Sequence, residues 1–181
     1  DYQATLQAIA DLVAEAAPHA APGTPVGIGI PGALSPATGL VKNANSTWLT
    51  GRPLDQDLEA LLRRPVRLSN DANCFALSEA ADGAAARTAV VFGVILGTGV
   101  GGGLVVNGRV LDGANAIAGE WGHTPLPWPE DADGIARPCY CGQRGCIETY
   151  LSGPGLSAHH AARRGQTLDA GGLIDAARRG E

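Results

Sequence analysis

Apolar residues recur along the chain at two different spacings, which predict helices and strands in alternation. Leu6, Ile9 and Val13 follow one another at steps of three and four residues within the segment 2–17, the spacing of an amphipathic helix. Segment 26–30, with the sequence VGIGI, is instead a short apolar stretch typical of a strand. The chain is therefore predicted to open with a helix followed by a strand.

The same patterns predict the remaining elements. Further helices are expected over residues 53–62, 71–81 and 146–151 and in two short segments at the end of the chain; strands are expected over 66–68, 89–96, 104–106 and 110–111, with a hairpin around 39–42. Glycine-dense residues 97–103 are predicted to form a turn, and residues 124–138 a loop. Strands that alternate with helices indicate the α/β fold class.

Composition and charge narrow the class of protein. Of the 181 residues, 45% are apolar and 17% charged, the balance of a globular domain rather than of a disordered chain. The net charge of −5 comes without a basic stripe, which argues against a nucleic-acid partner. No apolar run approaches the roughly 20 residues that cross a bilayer, so no membrane partner is expected. Because the chain starts at Asp1 and contains no Met, we expect it to be a piece of a longer protein.

Three of the four cysteines lie close together, at Cys139, Cys141 and Cys146, and they follow His123. Three thiolates and one imidazole are a complete tetrahedral ligand set for structural zinc. A secreted disulfide scaffold would be smaller and richer in cysteine, so this usage predicts a cytoplasmic protein. Two alternatives stay open: a group of free cysteines, or a fourth ligand from the histidine pair at 159–160.

Two segments, residues 27–32 and 97–102, match the glycine pattern of dinucleotide-binding loops. That pattern has this meaning only between a strand and a helix, and no predicted helix follows either segment. A Rossmann fold is therefore not expected. Glycines around Thr98 and Gly99 would still let backbone N–H groups approach a phosphate; the alternative is a hairpin that needs glycine only for its backbone angles.

Asp71 stands where a predicted strand ends and a predicted helix begins. Ligands of open α/β sheets bind beyond the carboxyl ends of the strands, and a carboxylate there can accept a proton from a substrate hydroxyl. The alternative is that Asp71 is the N-cap of the helix. Glu120 and Glu148, which lie near the cysteine and histidine positions, are open to two interpretations: binding of hydroxyls or simple exposure to solvent.

These motifs together resemble the ROK family of bacterial sugar kinases. The resemblance covers about residues 24–156 and rests on five segments in the family's order: Gly29-Ile-Pro-Gly32, Asn70-Asp-Ala-Asn73, Leu96-Gly-Thr-Gly-Val-Gly-Gly-Gly103, Glu120-Trp-Gly-His123 and Cys139-Tyr-Cys-Gly-Gln-Arg-Gly-Cys-Ile-Glu148. The last two segments are the most specific. Residues 42–48 and 119–128 look most like the fructokinases of this family, while residues 70–79 are shared with its N-acetylglucosamine kinases.

The resemblance implies ATP-dependent phosphorylation of a hexose at its 6-hydroxyl, with fructose as the main expectation and N-acetylglucosamine or glucose as the alternative sugar. Asp71 would be the general base, and Mg²⁺ would accompany ATP. The other implied roles are binding of sugar hydroxyls by Gly32, Asn45, Asn70, Glu120, His123 and Glu148, binding of phosphate by Thr98 and Gly99, and binding of zinc by His123, Cys139, Cys141 and Cys146. The alternative from another class is a sugar-sensing ROK transcriptional repressor.

The resemblance also implies an actin-like ATPase (ribonuclease H-like) fold, with two α/β domains around a sugar cleft. Residues 1–75 would belong to the smaller N-terminal domain and residues 76–181 to the larger C-terminal domain with the zinc site. The family's Asp-x-Gly-Gly-Thr phosphate loop and its C-terminal adenosine segment have no counterpart in these 181 residues, so we expect them to be inactive by themselves. The family is usually dimeric, which implies a homodimer.

Overall fold

Helices and strands alternate along the chain in a computed structural model that describes residues 1–130 and 137–181. In chain order the elements are α1 (Tyr2–Ala16), β1 (Val26–Ile30), β2 (Ala33–Leu34), β3 (Val41–Lys42), α2 (Leu54–Leu62), β4 (Val66–Asn70), α3 (Asp71–Ala81), β5 (Val90–Leu96), β6 (Val100–Val106), β7 (Arg109–Val110), α4 (Glu148–Leu151), α5 (Gly153–Arg164) and α6 (Ala170–Arg178). The predicted α/β class is confirmed.

The chain divides into two compact units. Unit 1 consists of Asp1–Val91 and Leu104–Ala118, and unit 2 of Phe92–Gly103 and Gly119–Glu181. The predicted boundary near residue 75 concerns the complete family fold and stays a prediction. Among the described residues, no helix has the length and the apolar character needed to cross a bilayer.

The core of unit 1 forms around a parallel pair of strands, β1 and β4, in which Ile30 lies opposite Asn70. Leu54 and Leu58 of α2 are completely or almost completely buried, and Leu6 of α1 joins the same apolar cluster as Ile30. Apolar residues at helical spacing therefore supply the buried faces of both helices, as their pattern predicts. This packing holds the carboxyl ends of β1 and β4 side by side.

Helix α3 begins directly at the end of β4 and packs through small side chains. Ala76 and Ala80 are buried in one cluster with Val91 and Val105. Because alanine projects only a methyl group, the helix backbone lies close to the strands that it covers. Asp71 at the start of α3 is therefore positioned both by the strand before it and by the helix after it.

The glycine run is divided differently from the prediction. Only residues 97–99 form the turn, while Gly101–Gly103 lie within β6, so the predicted seven-residue turn is wrong in length. At Gly102 an added Cβ atom would lie 2.8 Å from the carbonyl oxygen of Gly93 and 3.0 Å from that of Gly119. Glycine at this position therefore allows backbone to pack on backbone, a role that hydrophobic periodicity does not reveal.

Alanine in place of Gly102 is expected to destabilise unit 2 by about 1–3 kcal/mol, because the new methyl group would overlap backbone oxygens that have no rotamer to change. Gly101 is the matched control, since a Cβ atom there meets nothing within 4 Å. Gly101→Ala is expected to stay within about 0.5 kcal/mol of the unchanged protein. Urea unfolding monitored by circular dichroism measures both variants, and equal losses would contradict the packing role of Gly102.

Candidate functional site

Unit 1 brings three of the predicted site residues to the carboxyl ends of its parallel strands: Gly32, Asn70 and Asp71. Pro31 and Gly32 follow β1, and Asp71 follows Asn70 at the end of β4. The side-chain amide of Asn70 donates a hydrogen bond to the carbonyl oxygen of Gly32, at 3.3 Å. This bond joins the two strand ends.

Asn70, not Asp71, is the N-cap of α3. Its side-chain oxygen accepts hydrogen bonds from the backbone N–H groups of Ala72 at 3.0 Å and Asn73 at 3.2 Å. The carboxylate of Asp71 is exposed, and one of its oxygens accepts a bond from the N–H of Ala72 at 2.9 Å. Because Asn70 caps the helix, the capping alternative for Asp71 is wrong. The Asp71 carboxylate keeps an oxygen available for a ligand.

The loop after β3 closes onto the same strand ends. The backbone N–H of Asn45 donates to the carbonyl oxygen of Pro31 at 3.1 Å, and the Asn45 side chain is exposed. A Cβ atom on Gly32 would lie 2.8 Å from the carbonyl oxygen of Lys42 and 3.0 Å from Cα of Ala44, so only glycine fits without displacing this loop. The exposed Asn45 amide and Asp71 carboxylate thus lie near the backbone of Gly32, which no side chain covers, and this arrangement is suited to binding hydroxyl groups.

Unit 2 holds the glycine turn against Glu148. The backbone N–H of Val100 donates to a carboxylate oxygen of Glu148 at 2.9 Å, and the Glu148 side chain is buried. A Cβ atom on Gly99 would lie 2.8 Å from that same oxygen. At the other end of the turn, Gly153 N–H donates to the Gly97 carbonyl oxygen at 2.8 Å. The turn is therefore fixed at both ends, with Thr98 exposed at its tip.

The predicted metal ligands meet in one cluster in unit 2. The ligand atoms of His123, Cys139, Cys141 and Cys146 all lie within 4.8 Å of one another. The Cys141 and Cys146 sulfurs are 3.7 Å apart, and Nδ1 of His123 is 3.5 Å from the Cys139 sulfur. Tetrahedral zinc, with bonds of about 2.3 Å to sulfur and 2.0 Å to nitrogen, has edges of about 3.8 Å between two sulfurs and 3.5 Å between sulfur and nitrogen. The cluster therefore has the dimensions and the donor set of a structural zinc centre.

Protonation in this cluster is uneven. Burial, together with the neighbouring Cys141 and Cys139 side chains, raises the pKa of the Cys146 thiol to about 12. A hydrogen bond from the backbone of Gln143 lowers the pKa of the exposed Cys141. Three thiolates at these separations would repel one another, so all three sulfurs are deprotonated together only when a cation lies among them, as in a metal centre.

Trp121 anchors the segment between Glu120 and His123. Its indole N–H donates to the carbonyl oxygen of Gly101 at 2.8 Å, and its ring meets Phe92 edge-on, with the centroids 6.1 Å apart. Sequence reasoning missed this role, although a tryptophan between two candidate site residues was a signal. His123 and Glu120 are exposed on either side of the anchor.

Tyr140 is the second residue that sequence reasoning missed. Its hydroxyl lies 3.1 Å from Nε2 of His123. An aromatic residue between two cysteine ligands was the available signal. The fourth-ligand alternative at residues 159–160 is not supported, because the cysteines gather around His123, and His159 instead contacts Arg137.

A protein-family model described as the ROK family matches residues 1–181. The chain belongs to the ROK family. The N-acetyl-D-glucosamine kinase of Yersinia pseudotuberculosis (serotype O:3, strain YPIII) is 47% identical to this ROK chain over 178 residues, which are 96% of the chain and 59% of the kinase. The family resemblance drawn from the motifs is thereby confirmed.

Solved structures agree with this membership. The ROK hexokinase of Thermus thermophilus superimposes with a TM-score of 0.75 at 32% identity, over 97% of this ROK chain and 57% of the hexokinase. A ROK family transcriptional regulator, a homologue of the E. coli MLC protein, gives a TM-score of 0.72 at 26% identity, over 90% and 39% respectively. The expected actin-like ATPase fold is confirmed. The chain spans between about two fifths and three fifths of the length of these three proteins.

Proposed function

We propose that this chain forms part of an ATP-dependent hexose kinase. The observation that carries the proposal is the exposed Asp71 carboxylate at the paired strand ends, beside the Asn70 side chain and the Gly32 backbone. A carboxylate that does not cap its helix is available to a substrate, and the strand ends are where α/β sheets bind ligands. Kinship with proteins named as sugar kinases supports the same conclusion.

In the proposed reaction Asp71 accepts the proton of the sugar 6-hydroxyl as the oxygen attacks the γ-phosphorus of ATP. The new oxygen–phosphorus bond forms while the bond from that phosphorus to the β–γ bridging oxygen breaks, and ADP leaves with the bond's electron pair. As the family resemblance implies, Asn45 and Asn70 would orient sugar hydroxyls, and the other residues proposed to bind hydroxyls are Glu120, His123 and Glu148. The turn at Thr98 and Gly99 would bind phosphate, with Mg²⁺ bound to the nucleotide.

We infer that His123, Cys139, Cys141 and Cys146 hold structural zinc. With all four positions taken by protein ligands, such a centre has no open position for a catalytic water, and its role is to fix the loop that carries it. Ile147 and Glu148 follow Cys146 directly, and the Glu148 N–H donates to the carbonyl oxygen of Gly122 at 2.8 Å. The metal would thus fix the position of Glu148 through the adjoining ligand Cys146, on the side away from the sugar.

N-acetyl-D-glucosamine is the sugar that the relatives favour, rather than the fructose predicted from residues 42–48 and 119–128. The 47% identical kinase is named for N-acetyl-D-glucosamine, which supports the alternative reading of the sequence over the main one. We therefore expect kcat/KM of the full-length protein to be at least about tenfold higher for N-acetylglucosamine than for fructose, mannose or glucose, a difference of about 1.4 kcal/mol in transition-state binding. A coupled ADP-release assay with the four sugars ranks them, and a preference for fructose would restore the first prediction.

A sugar-sensing repressor is the second candidate, favoured by the similarity to the ROK transcriptional regulator. The two functions differ in turnover: a repressor would bind sugar without releasing ADP. The same assay therefore separates them when sugar binding is measured in parallel by calorimetry. The homodimer and the inactivity of the 181 residues alone stay predictions, to be tested by light scattering and by the same ADP assay.

A further inference from the structure

Lys42 joins the hairpin of β2 and β3 to the loop over residues 112–118. Its half-buried side chain starts from β3, and its ammonium group donates a hydrogen bond to the carbonyl oxygen of Asn115. The backbone of the same lysine borders the candidate site, since its carbonyl oxygen would lie 2.8 Å from a Cβ atom on Gly32. The loop therefore lies within the reach of one lysine side chain from the strand ends, and all of these residues belong to unit 1.

The peptide group between Asn115 and Ala116 is held on both sides. Its carbonyl oxygen accepts from Lys42, and its N–H donates to the carbonyl oxygen of Gly113 at 3.3 Å. Because a peptide group is planar, the two bonds together fix the orientation of the plane, and with it ψ of Asn115 and φ of Ala116. The contact of Lys42 with this one peptide therefore influences the course of the whole loop.

The loop does not adopt this course by local preference. Ala116 has a φ of +50°, in the left-handed region that is unfavourable for a residue with a Cβ atom. Such a conformation persists only where surrounding contacts impose it. Residues 111–115 are all exposed, so burial contributes little to holding this side of the loop. The bond from Lys42 supplies part of the constraint that Ala116 requires.

The loop leads directly to a residue that is proposed to bind the sugar. Its base is closed by a hydrogen bond from the N–H of Ala118 to the carbonyl oxygen of Asp112, at 3.0 Å, and Gly119 and Glu120 follow in the chain. Without the constraint at Ala116 the loop would populate other conformations. The apparent affinity for a ligand falls in proportion to the population of the conformation that can bind it.

We propose that Lys42 is a positioning residue of the sugar site: by binding the Asn115 carbonyl oxygen, it holds the loop 112–118 in the conformation that presents Glu120 to the sugar. The inference rests on the proposed kinase function, which assigns Glu120 to a sugar hydroxyl. Lys42 acts through the loop and not on the reacting atoms. It should therefore influence the KM for the sugar rather than kcat, because bound sugar restores the loop conformation.

Lys42→Met tests the inference, because it keeps the aliphatic stem and removes the ammonium group. In the full-length protein we expect KM, for whichever of the four sugars gives the highest kcat/KM, to rise by about tenfold, while kcat stays within about twofold. Lys42→Arg should keep KM within about threefold, since a guanidinium group also donates to a single carbonyl oxygen. Arg109→Met is the matched control: it removes a cation from an exposed residue of β7, and it should leave both constants unchanged.

Ala116→Gly separates positioning from a simple loss of charge. Glycine adopts a left-handed φ without strain, so Ala116→Gly in the Lys42→Met background should recover part of the lost affinity, although it restores no charge. Hydrogen exchange measured by mass spectrometry reports on the loop without any substrate. Exchange over residues 112–118 should be about tenfold faster in Lys42→Met than in the unchanged protein.

The outcomes distinguish the role of Lys42 from the proposed function. An unchanged KM in Lys42→Met, or the same rise in Lys42→Arg as in Lys42→Met, would overturn the role of the lysine at the sugar site. Unchanged exchange of the loop would overturn the positioning itself. Absence of turnover by the unchanged protein would overturn the proposed kinase reaction, and the exchange rates would still decide whether Lys42 holds the loop.

Discussion

Replacing Asp71 by asparagine in the full-length protein is expected to lower the kcat of the proposed kinase reaction by about 10²–10⁴-fold. Asparagine has nearly the same shape, and it can still accept the hydrogen bond from Ala72 N–H, so the start of α3 should be preserved. It cannot accept the proton that the proposed reaction transfers from the sugar hydroxyl to Asp71. Sugar affinity, measured by calorimetry with a non-hydrolysable ATP analogue, should therefore change far less than turnover.

Asp82→Asn is the control for this variant, because it makes the same substitution at the other end of α3, at an exposed residue. It should leave kcat unchanged. Asn70→Ala separates the two functions that meet at the strand end: loss of the N-cap should cost about 1 kcal/mol of stability, whereas Asp71→Asn should cost little. An Asp71→Asn enzyme with normal turnover would remove the proposed general base.

Loss of one ligand from the Cys/His cluster should have the largest effect on stability. Cys146→Ser keeps the size of a side chain that is 1% exposed but replaces the thiolate by a hydroxyl, a poor zinc ligand. At free zinc about 1,000 times the dissociation constant, binding adds about 4 kcal/mol to the free energy of unfolding, and the variant should lose most of this increment. Thermal unfolding with and without a chelator measures it, and inductively coupled plasma spectrometry counts the metal.

The control is Cys74→Ser, since Cys74 is exposed and lies outside the cluster. The Cys74→Ser variant should bind one zinc per chain, and a chelator should lower its stability by as much as it lowers that of the unchanged protein. In the presence of chelator, Cys146→Ser and the unchanged protein should converge, because the stabilisation removed by the mutation is then absent from both. A chelator that leaves the melting temperature of the unchanged protein unaltered would argue for a group of free cysteines.

Elements with a regular pattern were predictable from the sequence. Leu6, Ile9 and Val13 at helical spacing, and the short apolar stretch of β1, indicated their structures because burial of one face is a local property of a repeating pattern. The length of the glycine turn was not predictable in the same way. Gly102 lies in the strand β6, where the carbonyl oxygens of Gly93 and Gly119 leave no room for a Cβ atom, and a local pattern does not reveal such contacts.

The candidate site, too, was predictable in part from the sequence. Residue type and order alone indicated the chemistry: three thiols and one imidazole suit zinc, and a carboxylate after a strand suits proton transfer. Residue type could not tell whether Asn70 or Asp71 caps α3, since Asn and Asp are equally good N-caps. The structure assigns the cap to Asn70, whose side-chain oxygen accepts from the N–H groups at the start of α3 while its amide group donates to the Gly32 oxygen beside it.

By itself the sequence determined the family, the α/β class and the chemical identity of the candidate metal ligands, because those follow from residue types in a fixed order. Only the tertiary structure decided that Asp71 is left exposed, that His123 rather than the later histidines joins the cysteines, and that Tyr140 meets the far nitrogen of His123. The last two are contacts between segments that the chain brings together only on folding, and the exposure of Asp71 depends on how its neighbours pack. Close packing at Gly99 against Glu148 and at Gly32 against Lys42 and Ala44 was likewise decided by the tertiary structure, because a glycine has no side chain that would mark the contact in the sequence.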